Sequence, residues 1–119
     1  MCDADFKESI FNGSTYFYED AFDKEANFND VVFKGIISFY STRFKDEALF
    51  WNTTFSKNLS LLRTRYEKIY IRWNDINGSL IYDDAAYMSL MKNFQNLGYF
   101  EDYDSCYEQY MKERRNQVG

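Results

Sequence analysis

ADFKESIFNGSTYFYEDAFDKEANFNDVVFKGIISFYSTRFKDEALFWNTTF, residues 4–55, carries ten phenylalanines: Phe6, Phe11, Phe17, Phe22, Phe28, Phe33, Phe39, Phe44, Phe50 and Phe55. The steps between them are 5, 6, 5, 6, 5, 6, 5, 6 and 5, so the stretch repeats every 11 residues with two rings per copy. An α-helix turns about 100° per residue, and steps of 5 and 6 would throw successive rings to opposite sides. A β-strand alternates with period 2, so a long strand would scatter the rings over both faces. An 11-residue period also suits a right-handed coiled coil, but that needs a stripe at helical spacing. The segments between rings, such as Asn12-Gly13-Ser14-Thr15, Asn29-Asp30 and Lys34-Gly35, are poor helix formers. What remains is a solenoid whose rings point to a common axis and whose chain bends between them.

The flanking residues agree. Two positions before each ring stand Ala4, Ser9, Thr15, Asp20, Ala26, Val31, Ile37, Thr42, Ala48 and Thr53, mostly small or β-branched. Polar or turn-forming pairs follow, among them Lys7-Glu8, Asn12-Gly13, Lys45-Asp46 and Ser56-Lys57. The unit small–x–Phe–polar–polar, seen plainly in Ala4-Asp5-Phe6-Lys7-Glu8 and Ala26-Asn27-Phe28-Asn29-Asp30, resembles the pentapeptide-repeat family, in a Phe-centred variant with one extra residue in every second unit. The resemblance implies a mainly β fold: a right-handed, four-sided β-helix with 22 residues per coil. Asp20 departs from it, because a carboxylate at an inward position needs a partner or an edge.

Beyond Phe55 the inward column continues as Leu61, Tyr66, Ile71, Ile76 and Ile81, with Trp73 and Ile69-Tyr70-Ile71 competing for the inward role. We expect the β-helix over residues 4–82 and a helical hairpin cap over residues 83–117. Asp83-Asp84 is an N-cap and first-turn signal, and Ala86, Met88, Leu90, Met91, Phe94 and Leu97 recur at helical spacing up to Gly98, a C-terminal stop. A second helix is expected from about residue 100 to 116, with Glu101, Asp102 and Asp104 early and Lys112, Arg114 and Arg115 late, as the helix dipole favours. Leu97, Gly98, Phe100, Tyr103, Tyr107 and Tyr110 are spaced as in the loop and second helix of a tetratricopeptide repeat, which this segment resembles. That family usually has alanine where Tyr103 and Tyr110 stand, so the packing must differ.

Composition bounds the chemistry. Aromatics make up 21% of 119 residues, which suits a narrow core of stacked rings. The net charge is −5, but Arg63–Arg72 is locally basic, and no stripe tracks phosphates, so direct nucleic-acid binding is not expected. With no histidine, the commonest general base and imidazole metal ligands are missing. Asp83, Asp84, Glu101, Asp102 and Asp104 already have a structural reason as helix N-terminal charges. Cys2 and Cys106 lie far apart without metal spacing, and Cys106 falls on an apolar helix side, so it is read as core. No catalytic, metal or cofactor residue is assigned. A reducing, cytoplasmic compartment is expected, since no signal peptide or apolar run of membrane-spanning length is present in this sequence.

The outward aromatics Tyr18, Tyr40 and Trp51 each follow an inward ring by one residue. A four-sided coil places Tyr18 and Tyr40 on one face and Trp51 on the opposite one; they are the candidate partner-contact surface. The function expected is a non-catalytic structural or protein-interaction module, with its protein partner unidentified. The resemblance further implies the soluble part of a larger prokaryotic protein, membrane-associated through sequence not present here. With only three residues before the first repeat, a fragment of a longer chain, or self-association through the N-terminal coil, is expected. The alternative is an acidic mimic of DNA that regulates an enzyme such as gyrase.

Overall fold

The computed structural model of the chain describes residues 4–118. The repeat folds into thirteen two-residue strands: β1 (Ala4–Asp5), β2 (Ile10–Phe11), β3 (Thr15–Tyr16), β4 (Ala21–Phe22), β5 (Ala26–Asn27), β6 (Val32–Phe33), β7 (Ile37–Ser38), β8 (Arg43–Phe44), β9 (Ala48–Leu49), β10 (Thr54–Phe55), β11 (Leu59–Ser60), β12 (Arg65–Tyr66) and β13 (Ile69–Tyr70). Every fourth strand pairs in parallel, which makes four walls: A (β1-β5-β9-β13), B (β2-β6-β10), C (β3-β7-β11) and D (β4-β8-β12). Partners lie 22 residues apart, as in Ala4↔Ala26 and Phe11↔Phe33.

Two local devices turn the corners. Where the residue before the inward side chain in wall A or C is Asp, Asn or Ser, it caps its own turn: Asp5 accepts the Lys7 N–H at 3.1 Å, Asn27 the Asn29 N–H at 2.9 Å, Ser38 the Tyr40 N–H at 3.2 Å and Ser60 the Leu62 N–H at 3.3 Å. The 5-residue steps each hold one residue in the left-handed region: Glu8, Glu19, Asp30, Ser41, Asn52 and Arg63, with φ between 55° and 66°. They recur every 11 residues, at the A-to-B and C-to-D corners. The shorter ring step is thus closed by a left-handed residue, and none of the six is glycine. Asn52 Nδ2 donates to Asp30 Oδ1 of the preceding coil at 2.9 Å, tying one such corner to the next.

Inside, the rings stack in columns. Phe6, Phe28 and Phe50 lie 5.0 Å apart in turn, nearly parallel; Phe11–Phe33, Phe17–Phe39 and Phe22–Phe44 stack at 5.1 to 5.2 Å. This spacing is that of neighbouring parallel strands, about 4.8 Å, so wall and core share one repeat. Between columns the rings meet edge to face, as Phe28–Phe39 does at 5.5 Å and 74°. Buried threonines satisfy their hydroxyls on the coil below: Thr53 Oγ1 donates to Phe28 O and Thr64 Oγ1 to Phe39 O, each at 2.8 Å. Phe6, Phe11 and Phe17 of the first coil are only half-buried. Asp20 is exposed, which resolves the awkward carboxylate.

Coil spacing leaves no room at Gly35. A Cβ there would meet Ser14 N at 2.5 Å and Gly13 C at 2.6 Å, both backbone atoms of the adjacent coil. Gly35→Ala should therefore cost about 2 kcal/mol, within the overpacking range. Urea denaturation compares it with Gly13→Ala, whose Cβ would meet nothing within 4 Å. Equal costs for the two would refute the close-approach account.

The fourth coil loses the period. β13 pairs Ile69 with Ala48, a 21-residue offset, because one residue fewer joins β12 to β13. A one-turn helix, α1 (Trp73–Ile76), then sits against β10 where a wall B strand would continue. Leu80 returns to the wall pattern with a parallel bridge to Leu59. Ile71, Trp73 and Ile76 are buried as the inward column requires, but Ile81 is exposed, contrary to expectation. The chain has already left wall C to enter the hairpin there.

The hairpin is α2 (Asp84–Leu97) and α3 (Phe100–Val118). Asp83 caps α2 by accepting the Ala86 N–H at 3.0 Å, and Gly98, with φ 78°, ends it by donating to Gln95 O and Phe94 O. Leu90, Met91 and Phe94 of α2 and Cys106 and Tyr110 of α3 join the same core as the phenylalanine columns.

Tyr66 extends the Phe22–Phe44 column of wall D, but as a phenol its hydroxyl is buried with no hydrogen-bond partner among the described residues. Burial pushes its pKa up. Tyr66→Phe removes an unsatisfied polar atom without opening a cavity, so it should raise stability by about 1 kcal/mol. A lower midpoint in urea for this variant would show that the hydroxyl has a partner.

Candidate interaction surface

The structure brings Tyr18 and Tyr40 together and sets Trp51 apart. Tyr18 and Tyr40 leave the ends of β3 and β7 at the same corner, and their rings stack at 5.5 Å and 5°. Tyr18 is 61% exposed, and Tyr16, on the outer side of wall C, is 66% exposed. Ile10 of wall B adds an exposed aliphatic side chain on the same first coil.

Trp51, at the wall A corner, is half-buried at the joint between the solenoid and the hairpin. Its ring lies 5.7 Å from Tyr70 and 6.4 Å from Tyr99. Its backbone N–H donates to Asn29 Oδ1 at 2.8 Å. The Arg72 guanidinium covers the other aromatic of this group, 4.5 Å from the Tyr99 ring centroid. Arg72 also donates to both carboxylate oxygens of Asp102, at 2.9 and 2.8 Å, and the same carboxylate accepts the Trp73 N–H at 2.9 Å. Burial alone would raise the Asp102 pKa. The hydrogen bond from Arg72, the Trp73 N–H and the Arg72 charge outweigh it and hold the carboxyl below its ordinary value.

A second connection lies at buried Asn93. Its Oδ1 accepts the Ile69 N–H at 3.1 Å and its Nδ2 donates to Ile69 O at 2.9 Å. The amide side chain thus does for the last strand of wall A what another strand would do, and closes an open sheet edge. Neither Asn93 nor Asp102 stood out from sequence as a joint residue. The available signal was Asn93 itself, a polar residue amid Leu90, Met91 and Phe94.

Two further carboxylates are taken up locally. Asp83 caps α2, and Asp84 Oδ1 accepts the Tyr110 hydroxyl at 2.7 Å and the Tyr82 hydroxyl at 3.3 Å. A polar groove of about 330 Å³ between wall D and α2 contains one carboxylate, Glu67, beside Lys92, Asn93 and Asn96. Among the described residues no group of histidine, cysteine, aspartate or glutamate side chains is placed to hold a metal ion. Cys106 is fully buried, and burial pushes its thiol up to about 12. Cys2 lies outside the described residues. No helix among the described residues is long and apolar enough to cross a membrane. On wall D, Arg43 lies in register with Arg65, both exposed, so the acidic surface of the chain is interrupted by a basic column.

Residues 21–65 match the family model described as pentapeptide repeats, in nine copies. No curated protein and no solved structure matches the chain. The coil geometry continues on both sides of the matched segment, from β1 to β13.

Proposed function

We propose, on the premise that residues 21–65 are a run of pentapeptide repeats, that this chain is a non-catalytic protein-interaction module. Its partner is a protein held on the outward tyrosines of the first two coils. The observation that carries this reading is the Tyr18–Tyr40 stack, with exposed Tyr16 two residues before Tyr18 on the same wall. The core has no need of these side chains, and contiguous exposed aromatics are what protein interfaces are enriched in. A solenoid wall is a rigid platform, so the rings are held in place before a partner arrives and little ordering cost falls on binding.

The experiment is site-specific photocross-linking in the cells that make the protein, with a photoreactive phenylalanine at position 18. A discrete cross-linked product that is absent when the probe stands at Thr54, an exposed site on wall B, is the expected result. Identical patterns from the two positions would overturn the assignment. With the probe kept at position 18, the Tyr16→Ser, Tyr40→Ser double variant should keep its circular dichroism and lose the product.

A further inference from the structure

The hairpin carries a stripe of apolar and aromatic side chains that the rest of the fold leaves wholly or partly uncovered. Asp102, Cys106 and Tyr110 turn α3 inward and are buried. On another side stand Phe100, 65% exposed, and Tyr107, 46% exposed, with Tyr103 and Met111 half-buried beside them. Their spacing of 3, 4 and 4 makes a continuous stripe along the helix. Tyr103 and Tyr107 lie parallel at 6.3 Å, which leaves a flat aromatic surface. Met88 of α2, 51% exposed, extends it across a groove of about 460 Å³ lined also by Met91, Gln95 and Tyr103.

The charges of α3 say what fits there. Exposed acids, Glu101, Asp104 and Glu108, occupy its first half, and exposed bases, Lys112, Arg114 and Arg115, its second. A partner of one charge sign would complement half the helix and be repelled by the other half. A parallel copy would set acid against acid. A copy of α3 running the other way complements both halves, and opposes the helix dipoles favourably as well. We infer that the outward face of α3 is a homodimer interface, in which α3 of a second copy packs antiparallel across a twofold axis. A register centred near Gln109 sets Tyr107 against Met111 and Asp104 against Arg114, and the twofold repeats each pair.

Analytical ultracentrifugation of the full chain over a range of concentrations tests this. The wild type should dimerise. Asp104→Arg and Arg114→Asp should each weaken the dimer at least ~10-fold, since each places like charges together twice. The combined swap should return the constant to within about threefold of wild type, because it restores the pairs with their signs exchanged. Tyr107→Glu should leave a monomer with unchanged circular dichroism. The inference is overturned by a wild type that stays monomeric, by single reversals without effect, or by a swap that fails to rescue. It is equally overturned by a dimer that is lost on Ile10→Glu and untouched by the α3 variants, since that dimer would use the first coil.

Discussion

Phe28→Ala is expected to destabilise the fold by about 3–5 kcal/mol, at the upper end for single core substitutions. Phe28 is fully buried and stacks face to face with Phe6 on one side and Phe50 on the other, both at 5.0 Å. Phe17, Phe22, Phe33 and Phe39 surround it at 5.5 to 6.4 Å. Truncation removes the contacts of all six rings and leaves a cavity that stiff walls, tied by parallel hydrogen bonds on both sides, have little freedom to collapse. In a solenoid each coil touches only its neighbours, so a break at the second coil also cuts the first from the rest. The amides of β1 to β4 should then exchange with solvent at a lower free energy than those of β9 and β13. Phe6→Ala provides the contrast: it belongs to the same column but is half-buried at the end of it, and should cost less than half as much. Urea titration followed by circular dichroism measures both. A cost near 1 kcal/mol for Phe28→Ala would show that the ring columns are not what holds the coils together.

The ring columns were legible because their signal is redundant. Ten phenylalanines, their small partners and the turn pairs all repeat with one period, and no single residue decides the reading. The solenoid followed from it, the four walls and the 22-residue coil from the resemblance to pentapeptide repeats, and the hairpin from the caps and helical spacing after Asp83. What was not legible has local physical causes. The left-handed corners at Glu8, Glu19, Asp30, Ser41, Asn52 and Arg63 are invisible because no glycine marks them. The step lost between β12 and β13 shifts the phase by one residue, after which α1 replaces a strand and Ile81 swings outward. A four-residue helix at Trp73-Asn74-Asp75-Ile76 is too short for periodicity to show. Trp51 stands at a wall A corner, away from Tyr18 and Tyr40, but the return of the hairpin brings Tyr99 onto it, and that contact depends on tertiary structure alone. Asn93 and Asp102 were hidden for the same reason, since each finds its partner 24 or more residues back along the chain.

Asp102→Ala is expected to cost about 3 kcal/mol and to loosen the hairpin from the solenoid before the coils unfold. Three hydrogen bonds converge on this carboxylate, and two of them come from a guanidinium. Arg72 is itself half-exposed, so water takes over its charge when the carboxylate is gone, and the ion pair alone contributes little. The larger part of the cost is the buried Trp73 N–H, which opens α1 and loses the Asp102 oxygen that accepts it. Asp102→Asn separates the two contributions. It keeps an oxygen for Trp73 and loses the charge, so it should cost less than half as much as alanine. The pH dependence has a definite sign. The native pKa of Asp102 lies below its ordinary value, so its stabilisation is complete above about pH 4, where the carboxyl of the unfolded chain is ionised as well. It is lost as the pH falls further, through the depressed native value. The stability gap between wild type and Asp102→Ala should therefore be constant from pH 7 to 5 and narrow below about pH 4. The fluorescence of Trp51 and Trp73, both at the joint, reports the detachment, while the far-ultraviolet signal of the strands reports the coils. Coincident transitions in the variant would mean that cap and solenoid unfold as one unit and that Asp102 stabilises the whole, whereas a gap that widened on acidification would mean that the carboxylate is destabilising where it stands.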